Sequence, residues 1–160
     1  MYCLLLMLLF FSRVDYCNGI FTFCNKYTIQ RLQRVQNCFA RLVFRLPRSS
    51  SCSNVIRELG WLRINKRVDF KICCLVHKCV YGFCPSYLKL LVSPTSTSYA
   101  STNLRSHNGP LLFCPISKNA FVRRSFSFVA TRLWNSLPIY VRNERRFYVF
   151  KRLLRRHFSL

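Results

Sequence analysis

The stretch TIQRLQRVQNCFARLVFRL, residues Thr28–Leu46, decides the fold predicted from this sequence. Its apolar side chains recur at steps of three and four, which is the period of a helix with one buried face. They share one arc of that helix, and Pro47 ends it. The apolar arc consists of Ile29, Leu32, Val35, Phe39, Leu42, Val43 and Leu46. The pattern predicts a long amphipathic helix.

A separate arc of the same helix carries four arginines, Arg31, Arg34, Arg41 and Arg45. A row of cations on one helix face is typical of a solvated surface, and it is also what a phosphate-binding surface requires. The stripe alone leaves both interpretations open. The four residues are therefore candidate nucleic-acid-binding residues.

The helical period continues on the C-terminal side of this stretch. It predicts helices at Asn54–Leu59, Ile64–Tyr81 and Ser86–Val92, with Gly82 as a C-terminal cap. In the long helix, one side is predicted to be buried and the lysines and arginines lie elsewhere. The predicted buried residues are Ile64, Val68, Ile72, Leu75, Cys79 and Val80.

The composition changes between residues 93 and 109, which are rich in Ser and Thr and show no apolar period. Beyond them, Leu111–Ile116 and Ala120–Arg123 are predicted to pair as a β-hairpin. Helices are predicted at Phe126–Asn135 and Glu144–Phe158. We expect a mainly α fold of several amphipathic helices with one small β-hairpin in the C-terminal third. Its expected parts are a helical region (1–92), a Ser/Thr-rich linker or loop (93–109) and a small hairpin-plus-helix region (110–160).

The last predicted helix repeats the arrangement of apolar and basic faces. One side carries Phe147, Phe150, Leu154 and Phe158. The flanking cations, Lys151, Arg152, Arg155 and Arg156, complete the set of candidate nucleic-acid-binding residues.

The charge of the chain indicates its class of partner. Twenty-six Lys and Arg stand against four acidic residues, for a net charge of +22. Most of the cations are arginine, whose planar fork grips phosphate oxygens in pairs and stacks on bases. This balance predicts RNA or DNA, bound through the phosphate backbone, and makes a membrane or a small-molecule substrate a poor fit. A ribosomal-type or other basic protein is the alternative.

The acidic residues, Asp15, Glu58, Asp69 and Glu144, argue against catalysis because they are scattered singly. Two-metal polymerases and nucleases need several carboxylates that converge on the metals. The sequence contains no Gly-rich phosphate loop and no HExxH pattern. We expect no enzyme activity, no catalytic residue and no cofactor. A Ser or Cys nucleophile with His stays formally possible, but no spacing indicates one.

The cysteines could mark either a metal site or a core. The segment CCLVHKCVYGFC, residues 73–84, tempts a zinc interpretation, but structural zinc usually takes two close ligand pairs separated by a loop. Cys38, Cys73, Cys74 and Cys79 fall inside apolar periodic segments, which favours cysteine as a small core residue. We expect no metal, a partly exposed His77, and a reduced chain in the cytoplasm or nucleus.

The N-terminal run Tyr2–Phe11 is apolar but has only half the length that a membrane-spanning helix needs. The first charged residue is Arg13, so the positive start of a signal peptide is missing. A core helix at a truncated start is the favoured interpretation, and a signal peptide is the alternative.

Eight short strings occur in an order that is similar to one protein family. They are SRVDYCN (12–18), LQRVQN (32–37), RLVFRLPR (41–48), RELGWL (57–62), DFKICCLVHKCVYG (69–82), PSYL (85–88), LWNSLP (133–138) and FKRLLRRHF (150–158). Together they resemble the region after the reverse transcriptase domain in the second reading frame of LINE-class, non-long-terminal-repeat retrotransposons. The resemblance runs from about Leu8 to the end of the chain.

The resemblance implies a tail without catalytic parts. The family's polyprotein carries an endonuclease and then a polymerase with a Tyr-x-Asp-Asp-type metal site, and its catalytic residues have no counterparts in this chain. By the resemblance, Asp15 takes a helix-terminal or hydrogen-bonding role, Trp134 anchors packing and Asn135 bonds at a helix end. Arg63 stands where the family often has Pro, and extra cysteines replace aliphatic residues, as drift after loss of function would produce.

We therefore expect a non-catalytic remnant of a retrotransposon reverse transcriptase polyprotein, which acts as a basic nucleic-acid-binding tail beside a missing upstream polymerase domain. One alternative is the product of a degenerate element that has no molecular function. The other is a secreted or membrane-tethered basic protein.

Overall fold

The computed structural model of the chain describes residues 2–92 and 110–159, which are mainly helical and contain no β-strand. The α-helices are α1 (Tyr2–Asp15), α2 (Lys26–Phe44), α3 (Ser53–Glu58), α4 (Ile64–Val80), α5 (Ser86–Leu90), α6 (Phe126–Ser136), α7 (Ile139–Arg142) and α8 (Phe147–Ser159). Short 3-10 helices occupy Asn18–Phe23 and Val122–Arg124. The predicted α class is confirmed.

The chain divides into two compact units. The first unit comprises Met1–Val68 and Phe158–Leu160, and the second comprises Asp69–His157. The predicted linker, residues 93–109, lies outside the described residues, so the predicted domain division stays a prediction.

Helix α2 confirms the predicted amphipathic helix, with both ends two residues earlier in the chain. The Asn25 side chain accepts a hydrogen bond from the Thr28 backbone N–H at 2.9 Å and caps the N-terminus. At the other end Arg45 takes the left-handed conformation, with φ 52°, and stops the helix before Pro47.

The buried line of α2 differs from the predicted one. Val35 and Leu42, predicted to be buried, are 42% and 56% exposed, whereas Gln36 and Ala40 are fully buried. The Gln36 side-chain amide donates to the Leu62 carbonyl at 2.9 Å. A buried backbone carbonyl needs a hydrogen-bond partner, and Gln36 provides it for Leu62. Because Gln36 therefore faces inward, part of the apolar arc of α2 is left in solvent.

The core of the first unit forms where α2 meets α3. Ala40, Cys52, Val55 and Ile56 are buried together, with Trp61 packed against them. Asp15 ends α1 and accepts two hydrogen bonds from the Arg67 guanidinium, one of them 2.7 Å long between Nη2 and Oδ2. This arrangement confirms the helix-terminal, hydrogen-bonding role expected of Asp15.

Helix α1 forms as expected, but it is only partly a core helix. Val14 is buried, whereas Leu5, Leu8 and Leu9 are more than half exposed. The leucines of α1 are consecutive in sequence and therefore point to all sides of the helix. Some of them must face outward whichever side is buried. Within residues 2–92 and 110–159, no helix is both long enough and apolar enough to span a membrane.

Three rings lie together in the core of the second unit. Trp134, Phe150 and His77 are all fully buried, with ring centroids 5.9 Å apart for Trp134 and Phe150 and 4.2 Å for His77 and Phe150. The expected anchor role of Trp134 is confirmed, whereas the expected partial exposure of His77 is wrong. Leu75 on the same helix is 40% exposed, although its spacing predicted burial.

The predicted β-hairpin is wrong. Leu112 finds its hydrogen bonds in α6, because the Asn135 Oδ1 accepts from its N–H at 3.0 Å and the Asn135 Nδ2 donates to its carbonyl at 2.8 Å. Leu112 takes part only in an isolated β-bridge, and no strand extends from it along residues 111–116. The predicted partner strand instead contains the 3-10 helix Val122–Arg124, preceded by a turn in which Asn119 Oδ1 accepts from the Phe121 N–H.

This amide pair gives a first testable prediction. Asn135→Ala leaves the N–H and the carbonyl of Leu112 without these partners, and we expect the free energy of unfolding of the second unit to fall by about 1–3 kcal/mol. Chemical denaturation followed by Trp134 fluorescence measures the change. The control is Asn143→Ala at an exposed position of the same unit, for which about 0.5 kcal/mol or less is expected. Equal losses in the two variants would contradict the assignment.

Candidate nucleic-acid interface

Two of the predicted arginines stand exposed on α2. Arg31 and Arg34 line a shallow groove together with Thr28, Leu32 and Val35, and the Arg31 guanidinium carbon lies 5.9 Å from the Tyr27 ring centroid. Exposed guanidinium groups over an apolar floor are open to a phosphate and to a stacked ring alike.

The other two arginines of the predicted stripe have different surroundings. Arg41 is partly buried, and its Nε donates to the Ser50 carbonyl at 3.2 Å. Arg45 lies beyond the last helical residue in the left-handed conformation, so its position no longer follows the helical period. The four arginines therefore do not form one uniform row, because Arg41 holds the following loop and Arg45 ends the helix.

Arg41 lines a polar depression of about 420 Å³ between α2 and α3, which we call the serine depression. Its wall includes Arg63 and the loop Ser49–Ser53, together with Gln33 and Asn37. Serine hydroxyl groups and two guanidinium groups supply hydrogen-bond donors, whereas the Gln33 Nε2 already donates to Gln36 and Asn37. Hydroxyl and guanidinium groups are donors that a phosphate oxygen accepts from.

A second depression adjoins the first, because Ser53, Ile56 and Arg63 line both. This depression, which we call the aromatic pocket, has a volume of about 320 Å³. Its cations are Arg57, Arg63 and Lys66, and its rings are Trp61 and Phe158. Phe158 belongs to the first unit, as do all the other lining residues.

Local contacts place the cations of the aromatic pocket. Arg63 Nη2 donates to Ser53 Oγ at 3.0 Å, and Arg57 Nη2 donates to Asn54 Oδ1 at 3.3 Å. The Lys66 ammonium lies 5.4 Å from the Phe158 ring centroid. Each cation thus makes one local contact, and all three residues are exposed.

A turn between α3 and α4 brings these residues together. Gly60 takes φ +63°, and the Trp61 N–H donates to the Ile56 carbonyl at 2.9 Å. Gln33 then fixes the start of α4, since its Oε1 accepts from the Ile64 N–H at 3.0 Å. The turn sends Trp61 toward the core and leaves Arg63 in the walls of both depressions.

The described residues that line the two depressions include several cations and no aspartate or glutamate. Arg67, next to Lys66 in sequence, is instead paired with Asp15. The arrangement therefore concentrates positive charge at Arg41, Arg57, Arg63 and Lys66 and attracts anions.

The predicted cations of α8 are exposed in the second unit. Lys151, Arg152, Arg155 and Arg156 lie on the side of the helix away from the buried Phe150 and Leu154. The Lys151 ammonium lies 5.7 Å from the Phe147 ring centroid.

Spacing did not identify Arg57, Arg63 and Lys66 as site residues. They stand in RELGWLRINK, residues 57–66, where three cations surround a glycine turn and a tryptophan. This clustering of cations around a turn was the sequence feature that could have identified the site. The prediction relied on helical periodicity, which does not apply to a turn.

The titratable groups show no grouping suited to metal chemistry in the part of the chain that the structure describes, where no three His, Cys, Asp or Glu side chains converge on a possible ion. Hydrogen bonds from Arg146 hold the pKa of Glu144 below its ordinary value. Burial raises the pKa of Cys74 to about 11, so this thiol stays protonated at neutral pH.

The four cysteines of apolar segments do not all lie in the core. Cys73, Cys74 and Cys79 are buried as expected, but Cys38 is exposed on α2. Each cysteine whose side chain is described is a free thiol.

The sequence matches no protein-family model, and no curated protein and no solved structure is significantly similar to it.

Proposed function

We propose that this chain is the non-catalytic, nucleic-acid-binding tail of a LINE-type reverse transcriptase polyprotein and that it holds the phosphate backbone of RNA or DNA. The observation that carries the proposal is the pair of adjoining depressions in the first unit, which share Arg63 and whose described lining residues include cations but no Asp or Glu. Hydroxyl and guanidinium donors suit phosphate oxygens, and the net charge of +22 attracts a polyanion.

The family assignment within the proposal rests on the eight ordered strings of the sequence. It expects an upstream polymerase domain in the parent protein. The genomic reading frame before Met1 tests this part: a continuous polymerase frame supports the assignment, and an unrelated upstream frame counts against it.

Binding to phosphate has a measurable signature. Each cation that neutralises a phosphate releases counterions, so the logarithm of the binding constant falls linearly with the logarithm of salt concentration. We expect a steep slope for the intact chain in filter binding with a random-sequence oligonucleotide. The triple variant Arg57→Gln, Arg63→Gln, Lys66→Gln is expected to reduce that slope by about 2–3, since each lost contact removes about 1.

A matched control separates contact from overall charge. Lys118, Arg124 and Arg132 are exposed cations of the second unit that belong to neither depression. Their triple change to Gln removes the same charge and is expected to alter the slope by less than about 1. If both triple variants weaken binding equally, general charge attraction replaces the proposed site, and if affinity of the intact chain ignores salt, the proposed function is wrong.

A further inference from the structure

Phosphate binding alone leaves the two rings of the aromatic pocket unexplained. Cations are enough to hold a phosphate, yet Trp61 and Phe158 supply the apolar part of this wall. Trp61 is half-buried and meets Phe11 edge-on, with ring centroids 4.8 Å apart and 76° between the planes. The pocket therefore offers a ring surface that the core of the first unit does not cover completely.

The size of the aromatic pocket suits one flat ring with its attached groups. At about 320 Å³ it stands at the lower end of the range of small-ligand sites, which is roughly 300–1,000 Å³. A base pair inside a duplex is stacked on both faces and presents only its edges in the grooves, so a duplex cannot insert a base there. An unpaired base can.

The charges around the rings indicate where the rest of such a ligand lies. Arg57 and Arg63 are each attached to a polar side chain at one guanidinium nitrogen, and Lys66 lies over the Phe158 ring. All three are exposed, and no Asp or Glu is found among the lining residues that the structure describes. Rings inside and cations at the surface match a nucleotide with its base inside and its phosphates outside.

We propose that the aromatic pocket takes an unpaired base of a single-stranded nucleic acid, stacked on Trp61 and Phe158, with the neighbouring phosphates on Arg57, Arg63 and Lys66. This inference rests on the proposed function and adds a substrate class to it, because it makes the first unit prefer single strands to duplexes. Stacking on an aromatic side chain tolerates every base, so no sequence preference is expected from the pocket.

Fluorescence provides a direct test, because Trp61 and Trp134 are the two tryptophans of the chain. In the variant Trp134→Phe, Trp61 is the sole emitter. We expect a thymidine oligonucleotide to quench it on binding, since stacked bases lie in contact with the indole. An abasic oligonucleotide with the same backbone and a duplex of the same length are expected to bind without comparable quenching.

Affinity measurements on the otherwise unaltered chain give a second readout that does not depend on Trp134→Phe folding well. With a labelled oligonucleotide, Phe158→Leu is expected to weaken single-strand binding roughly tenfold and to leave duplex binding unchanged. The matched control is Tyr148→Leu, which removes an exposed ring from the same helix outside the pocket. It is expected to change neither affinity.

The outcomes separate this inference from the proposed function. If oligonucleotide, abasic strand and duplex all bind with one affinity, Trp61 emission stays constant and Phe158→Leu has no effect, the phosphate-binding function stands and the base pocket is wrong. If none of the three binds, both are wrong.

Discussion

Replacing Phe150 with alanine is expected to lower the free energy of unfolding of the second unit by about 3–5 kcal/mol, the usual cost of removing a buried aromatic ring. Phe150 is fully buried, and its ring lies next to those of both His77 and Trp134. Removing it leaves a cavity at the centre of the ring cluster. A loss of this size is a large part of the roughly 5–15 kcal/mol that holds most domains folded.

The measurement uses the one tryptophan of the second unit. In a Trp61→Phe background, Trp134 alone reports denaturant unfolding of Asp69–His157. Tyr148→Ala on the same helix is the control, because its ring is 78% exposed and a change of about 0.5 kcal/mol or less is expected. Phe150→Leu, which refills part of the cavity, should lose less than Phe150→Ala. A loss below about 1 kcal/mol for Phe150→Ala would contradict the packing described here.

The second large effect is a loss of stability in mild acid through His77. Its Nε2 lies 2.8 Å from the Glu144 carbonyl, so this nitrogen carries a proton and donates. Among the described residues no partner lies within hydrogen-bonding distance of Nδ1. Burial lowers the pKa of His77 below its ordinary value of 6.5, and it outweighs the bond to Glu144, which acts in the opposite direction. The folded second unit therefore holds a neutral imidazole.

The sign of the pH effect follows from the lowered pKa. Unfolded His77 takes up a proton as the pH falls through about 6.5, whereas the folded form still resists it. Unfolding thus binds a proton in this window, and the second unit becomes less stable as the pH falls. The effect ends below the folded pKa, and the full stability is present above pH 6.5.

Variants at two histidines test this assignment. We expect denaturant midpoints of the second unit, read from Trp134, to fall between pH 7.5 and 5 in the parent chain, a window around the ordinary histidine pKa of about 6.5. His77→Gln keeps an N–H donor but does not titrate, so this fall should be largely lost. His157→Gln is the control, since His157 is half-buried and distant in sequence, and the fall should remain. A pH dependence that persists in His77→Gln would assign it to another group.

The parts of the fold that local spacing determines could be predicted from the sequence. Helix α2, for example, was expected from its apolar period and its proline, and it differs only by two residues at each end. Helix α6 was expected at Phe126–Asn135 and extends one residue further. In both cases the turn-by-turn spacing and the flanking residues that end the helix agree, so no distant contact was needed.

Distant polar contacts account for the errors. Gln36 is buried because the carbonyl of Leu62, 26 residues away, needs a donor, and nothing within α2 indicates this. Asn135 likewise bonds both the N–H and the carbonyl of Leu112, 23 residues away, and nothing in the local pattern of residues 111–116 indicates this contact. Apolar periodicity indicates which side of a helix or strand is buried. It does not indicate which backbone groups elsewhere in the chain need a hydrogen-bond partner.

The candidate site, like the fold, could be predicted from the sequence only in part. Charge and arginine content predict a polyanion as partner, and Arg31 and Arg34 are exposed as a surface role requires. The aromatic pocket could not be predicted, because it combines the α3–α4 turn with Phe158, about a hundred residues further along the chain. Only the fold brings them together.

The buried thiols offer a way to measure local opening of the chain. Cys73, Cys74 and Cys79 are buried residues of one helix, and burial raises the pKa of Cys79 to about 12. Neither access nor thiolate is therefore available at these positions while α4 stays packed. Alkylation at these positions must wait for a local opening, whereas Cys17 and Cys38 on the surface can react without one. The labelling rate of each thiol would therefore measure how often the segment around it opens.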